Sequence, residues 1–190
     1  MANDIISLDK LELTFRKEVE EIFKGNVTCL QCATCSGGCP VAYEMDYTPR
    51  EVIRMVQLGM RDKALSCKSI WVCASCNTCY TRCPGGIDIP EIMSSLRILS
   101  INEGIADKVH KEGSSFYKNF VKTITEYGRL FEPELALRYD LSMGLGHVKK
   151  HIPMGFKMLK HGKIHPIPKR VKQPKKLVRT MARIKKEVEG

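Results

Sequence analysis

No run in this 190-residue sequence approaches the roughly eighteen consecutive apolar residues that a membrane-spanning helix requires, so no transmembrane segment is expected. There is no Gly-x-Gly-x-x-Gly fingerprint, which leaves no argument for a flavin or nicotinamide site of that type. No segment alternates convincingly between apolar and polar residues as a half-buried strand would. No nucleophile–base pair stands out, and His110, His147, His151, His161 and His165 read as surface or tail residues. The opening Met1-Ala2-Asn3-Asp4 is not a signal peptide, so a reducing, cytoplasmic setting is expected, in which disulfides are disfavoured.

Cysteine is what the chain has in quantity. Eight of its nine cysteines form one pattern written twice, 44 positions apart: Cys29-x2-Cys32-x2-Cys35-x3-Cys39-Pro40 and Cys73-x2-Cys76-x2-Cys79-x3-Cys83-Pro84. Three cysteines at every third residue let a tight loop present sulfurs to three corners of one cube. The fourth falls too far along to close that cube, and reaches the neighbouring one. On this pattern Cys29, Cys32, Cys35 and Cys83 hold one [4Fe–4S] cluster, and Cys73, Cys76, Cys79 and Cys39 hold a second. Two four-thiolate zinc sites are the competing reading, but structural zinc normally takes two separated C-x2-C pairs. Cys67 lies outside both motifs and reads as a small buried hydrophobe.

Charge is unevenly placed. The net charge is +10, yet residues 149–190 hold 14 Lys or Arg against Glu187 and Glu189, while the first 148 residues hold 17 against 19 acidic groups. An almost neutral body therefore carries a strongly basic tail. No nucleic-acid-binding module accompanies that charge, so the tail reads as a docking element for a protein partner. Lys157, Lys160 and Lys163, followed by Pro166, Pro168 and Pro174, suit an extended arm, and Leu177, Met181, Ile184 and Val188 recur at helical spacing in a terminal amphipathic helix.

The body reads as helical. Residues 7–24 align Leu8, Leu11, Phe15, Val19 and Ile22, with Gly25 as the stop. Thr48-Pro49-Arg50-Glu51 is a capping-box signature opening a helix through Val52, Val56 and Met60 to about Leu65. Asp88-Ile89-Pro90-Glu91 opens another with Ile92, Leu96 and Leu99, ending before Gly104. Ser114 or Ser115 starts a helix aligning Phe116, Phe120, Ile124 and Tyr127 up to Gly128, and Pro133 starts one to about Leu141. Motif, capped helix, motif, capped helix makes an internal repeat. The expected fold is mainly α: an α-helical ferredoxin with an N-terminal amphipathic helix (1–26), a two-cluster domain (27–142) and a basic extension (143–190).

The segments Val27-Thr28-Cys29-Leu30-Gln31-Cys32-Ala33-Thr34-Cys35-Ser36-Gly37-Gly38-Cys39-Pro40 and Ser69-Ile70-Trp71-Val72-Cys73-Ala74-Ser75-Cys76, continued by Thr78-Cys79-Tyr80-Thr81-Arg82-Cys83-Pro84, resemble the paired motifs of the C subunit of heterodisulfide reductase from methanogenic archaea. Pro49 to Gly59 is similar to that family's intervening helix, and the likeness covers about residues 8–140. It departs at Ala33, where glycine is commoner. Iron–sulfur subunits of succinate dehydrogenase and glycolate oxidase share related motifs.

The resemblance implies a wire. In that family a flavin-containing A subunit splits electron pairs, a B subunit reduces the mixed disulfide of coenzyme M and coenzyme B, and the C subunit passes single electrons between them. The larger assembly draws on hydrogenase, formate dehydrogenase or a membrane donor. The chain has no adjacent Cys-Cys pair of the kind the B subunit uses, and so no catalytic residues of its own are expected. Lys68 and Arg82 stand near the motifs as candidate offsets to cluster charge. Thr34, Ser36, Ser75 and Thr78 are candidate hydroxyl donors, and Trp71, the only tryptophan, is a candidate shield for the second cluster. The alternatives are an iron–sulfur subunit of another flavin dehydrogenase or a freely diffusing carrier.

Overall fold

The computed structural model describes residues 11–163 together with residues 176, 178–180 and 183. Among these residues the regular structure is helical and no strand occurs, in agreement with the mainly α expectation. The chain divides into two compact units, Met1–Lys111 and Glu112–Gly190, and not at the expected 26/27 and 142/143 boundaries.

In the first unit, α1 runs over Phe15–Phe23. It starts later than the periodicity suggests: Leu11 lies before it, and Leu8 falls outside the described residues. The reason is a main-chain contact, since the amide of Glu12 donates to the carbonyl of Gly59 at 2.8 Å and pins that segment against a distant turn. A Cβ on Gly59 (φ +71°) would lie 2.4 Å from the Glu12 carbonyl oxygen. That same turn splits the helix expected from Pro49 to Leu65 into α3 (Pro49–Gln57) and α4 (Arg61–Ser66). At the far end of α1 the left-handed cap is Lys24 (φ 54°), one residue before Gly25, where a side chain would strike the Phe23 ring.

The sequence signals at other helix starts operate as read. Thr48 N and Oγ1 both donate to Glu51 Oε2, at 2.7 and 2.8 Å, at the start of α3. The carboxylate of Asp88 accepts from Glu91 N at 3.0 Å and caps α7 (Ile89–Asn102). Helix α2 (Thr34–Gly37) precedes α3, α5 (Ser69–Val72) and α6 (Thr78–Thr81) lie between α4 and α7, and α8 (Ile105–Val109) follows Gly104. Phe15, Val19, Val52, Ile53, Val56, Leu65, Ile70, Ile92 and Leu96 are fully buried where α1, α3, α4 and α7 meet. Each such side chain stabilises the unit by about 1.5–3 kcal/mol relative to exposure. Arg61 braces the rim: its guanidinium binds Glu18 of α1 and Glu103 after α7, and lies 5.2 Å over the Phe15 ring.

In the second unit, α9 (Lys111–Tyr127) begins three residues before the expected start, and α10 spans Glu132–Met143. Residues 145–160, expected in an extended arm, form a helix instead, α11 (Leu145–Lys160), with Pro153 inside it. The helix survives because an exposed proline costs one main-chain hydrogen bond whose carbonyl water can satisfy, and α11 also packs on α10. Of the terminal amphipathic helix, residues 176, 178–180 and 183 are helical. Its apolar positions Leu177, Met181, Ile184 and Val188 lie outside the described residues, as do Pro166, Pro168 and Pro174.

Candidate metal centre

The two cysteine loops have the same backbone. Gln31 (φ 59°) and Ala33 (φ 66°) are left-handed in the first, and Ser75 (φ 50°) and Asn77 (φ 61°) stand at the matching positions of the second. Left-handed residues between right-handed ones turn successive amides toward one concave side, a geometry that favours anions. Gln31 N donates to Cys29 Sγ at 3.3 Å, and Ile87 N donates to Cys83 Sγ at 3.4 Å. Thr34 Oγ1 and Thr78 Oγ1 each lie 3.4 Å from the sulfur two residues earlier, Cys32 and Cys76, and Ser36 Oγ lies 3.9 Å from Cys35 Sγ.

Neighbouring elements hold these loops. Gln57 of α3 donates from Nε2 to the carbonyls of Val27 at 3.0 Å and Cys29 at 3.4 Å. Ser36 Oγ accepts from Arg50 N at 3.1 Å, which ties α2 to α3. Before the second loop, Asp46 accepts from the amides of Lys68 at 2.8 Å and Ser69 at 2.9 Å, fixing the start of α5.

A pocket brings residues of both motifs together. Cys29, Cys32 and Cys35 line it with Cys83, alongside Ile87 and Ile89, and it encloses about 360 Å³, part of which is open to solvent. Helix α2 packs on α6, and the guanidinium of Arg82 lies over Gly38, its counterpart in the repeat, 2.9 Å from where a Cβ would stand. The tail of each motif thus lies beside the other motif. Cys32 and Cys76 are exposed, Cys35 is buried, and Cys29, Cys39, Cys73, Cys79 and Cys83 are half-buried.

Thiol acidity follows the same division. Hydroxyl and amide donors at Thr34 and Thr78 pull the Cys32 and Cys76 thiols below their ordinary value. Burial, with a smaller contribution from Cys29, raises Cys35, and burial with Cys73 and Cys35 nearby pushes Cys79 up to about 11. Inner thiolates this close repel one another, and they ionise together only around a cationic centre. One zinc ion would crowd four sulfurs to within about 4 Å of one another, given a Zn–S bond of about 2.3 Å. Among the described residues, the one group of three or more potential ligand atoms all within 4.8 Å of one another contains no cysteine and lies in the second unit. The sulfurs are spread for a cluster larger than a single ion, and none is spent in a disulfide.

Residues 28–88 match the 4Fe–4S dicluster domain family. The chain is 34% identical over 137 residues to the second iron–sulfur C subunit of the CoB–CoM heterodisulfide reductase of Methanocaldococcus jannaschii, covering 67% of this chain and 73% of that one. It belongs to the heterodisulfide reductase C-subunit family. The C subunit of the Methanopyrus kandleri reductase is 35% identical over 99 residues, 52% of this chain and 51% of that one. The C2 subunit of the H2/formate:CoB–CoM heterodisulfide, ferredoxin reductase of Methanococcus maripaludis is 42% identical over 84 residues, 44% and 45% of the two chains. The matched segments thus span about half the length of those two relatives. The cofactors of this C-family chain are two [4Fe–4S] clusters, and its role is electron transfer.

Other side chains fall differently from the sequence reading. Lys68 pairs with Glu44 at 3.4 Å. His110 is half-buried, not a free surface residue: its Nε2 lies 2.8 Å from the Ser66 carbonyl and its ring 6.3 Å from that of Trp71. Trp71 packs against the core two residues before Cys73, consistent with a shielding role. Cys67 is buried, donates to the Ala64 carbonyl at 3.2 Å, and has its thiol pushed up to about 11 by burial, which makes it inert. Two arginines carry no signal in the sequence: Arg50, which lines the pocket, and Arg97, which lies buried on α7 and donates from Nη2 to the Cys73 carbonyl at 3.2 Å. No local pattern flags either one, because both act across the fold.

Proposed function

We propose that this chain is the electron relay of a heterodisulfide reductase complex, passing single electrons from a flavin-containing A subunit to a B subunit that reduces the coenzyme M–coenzyme B disulfide. The observation that carries the reading is the pocket in which Cys83 of the second motif joins Cys29, Cys32 and Cys35 of the first. It supports a crossed scheme: those four residues would hold one [4Fe–4S] cluster, and Cys73, Cys76, Cys79 and Cys39 the other. When bound, the clusters supply two one-electron carriers.

The chain's own residues do the rest. Crossing fastens the two loops and keeps the sites adjacent, a reading supported by the packing of α2 on α6. Ile87 and Ile89 line one site and exclude water from it, while exposed Cys32 and Cys76 leave a corner of each site where a redox partner can approach. Among the described residues no helix is long and apolar enough to cross a membrane. The proposed setting is the cytoplasm, where hydrogenase or formate dehydrogenase can supply electrons. The basic stretch from Lys149 onward, now helical to Lys160, is the element proposed to dock on these partners; nucleic acid is not among them.

The test is anaerobic purification with native partners, followed by iron, sulfide and EPR measurement. About eight iron and eight sulfide, interacting reduced-state spectra, and co-elution with flavin and disulfide reductase activity are expected. Zinc in place of iron, about four iron, or a chain that elutes alone with full electron-carrier competence would overturn the proposal.

A further inference from the structure

The second unit holds a ligand set unconnected with the cysteine loops. His147 and His151 stand one turn apart on α11, at the i, i+4 spacing that puts two imidazoles on one helical face. Their rings meet edge to face with centroids 5.9 Å apart. Asp140, near the end of α10, is 7% exposed and turns its carboxylate to His151, whose Nδ1 lies 2.9 Å from Oδ1 and 3.0 Å from Oδ2. One ligand atom from each of the three residues lies within 4.8 Å of the other two, and Gly144 (φ 115°) makes the turn that brings the helices together.

We propose that Asp140, His147 and His151 form a divalent transition-metal site of the zinc class. Two imidazoles and one carboxylate suit zinc and its neighbours and not magnesium or calcium, which take oxygen ligands. Zinc–nitrogen and zinc–oxygen bonds of about 2.0–2.2 Å place ligand atoms about 3.5 Å apart, so small side-chain rotations complete the site. His147 is exposed, and water fills the remaining position. Coordination uses unprotonated ring nitrogens, so any proton the metal displaces leaves to solvent. The field offers the ion little help, because α11 carries Lys149, Lys157 and Lys160, so affinity rests on direct coordination. The metal clamps α10 to α11 and holds the root of the basic tail. It has no redox role and does not depend on the cysteine assignment.

The experiment uses the full chain with both clusters loaded, mixed anaerobically with zinc and then desalted, with zinc and iron measured together. About one zinc per chain is expected, with iron unchanged at about eight. His147→Ala, an exposed position that leaves the fold intact, and His151→Ala should each weaken zinc binding by about 100-fold or more, since even outer-shell partners are worth about 10–100-fold. Failure to retain zinc overturns the proposal and leaves Asp140–His151 as a plain hydrogen-bonded pair. Zinc held equally by both variants, or taken up only as iron is lost, overturns it as well.

Discussion

Arg97 donates from its guanidinium to the main-chain oxygen of Cys73 at 3.2 Å and is 8% exposed, which places a buried cation at the first cysteine of the second loop. A [4Fe–4S] site gains a negative charge on reduction, and a nearby positive charge favours that state. At an effective dielectric near 20, unit charges about 10 Å apart interact by about 1.7 kcal/mol, on the order of 70 mV for one electron. Arg97→Gln keeps a donor and removes the charge. One of the two clusters should then fall in potential by tens of millivolts in a redox titration followed by EPR, with iron content unchanged. Two unmoved potentials would show that the guanidinium only braces the backbone.

Ala33 and Asn77 occupy matching left-handed positions, and only asparagine tolerates that conformation readily. For alanine the left-handed region costs about 1–2 kcal/mol. Ala33→Gly should relieve most of it, net of the roughly 0.5–1 kcal/mol by which glycine favours the unfolded chain. The thermal midpoint of the cluster-loaded protein should rise by a degree or more. A lower midpoint would mean that the loop's strain is held elsewhere.

The sequence carried the site further than it carried the fold around it. Eight cysteines in two matching loops, and the caps at Thr48 and Asp88, are local patterns, and local patterns survive in a linear reading. Contacts between distant segments do not. Glu12 meeting Gly59 shortens α1 and cuts one expected helix into α3 and α4, and nothing near either residue announces that meeting. Arg97 reaches Cys73 across 24 positions for the same reason. Over 145–160, the lysines ahead of Pro166, Pro168 and Pro174 suggest extension, whereas packing on α10 accompanies a helix. Ala33, by contrast, is visible as an oddity in the sequence, and its φ supplies the physical cause.

Asp46 couples the second loop to pH. Burial alone would raise its carboxyl, but the hydroxyl of Ser69 and the amides of Lys68, Ser69 and Tyr47 together hold it below the usual carboxylate range. A depressed folded value gives stability that is present above the unfolded pKa of about 3.9 and lost as pH falls through the folded value. Asp46→Asn removes that contribution. At pH 7 the variant should melt below the wild type, and the gap should narrow as pH drops below about 4.5. A gap that stays constant down to about pH 3.5 would mean that Asp46 acts by shape alone.

Crossed ligation is separable from uncrossed ligation once Arg97→Gln marks the site beside Cys73. If Cys83 serves the pocket of Cys29, Cys32 and Cys35, then Cys83→Ser alters that site and spares the one that Arg97 tunes. In Cys83→Ser the unperturbed cluster should therefore still shift when Arg97→Gln is added, and in Cys39→Ser the perturbed cluster should be the one that shifts. Ligation within each motif predicts the reverse in both backgrounds. Cys67→Ala is the control, because a buried thiol bonded to Ala64 should yield to alanine with about eight iron retained and both spectra unchanged. If Cys67→Ala also removed iron, the choice of eight ligands from nine cysteines would itself be wrong, and the crossed scheme would go with it.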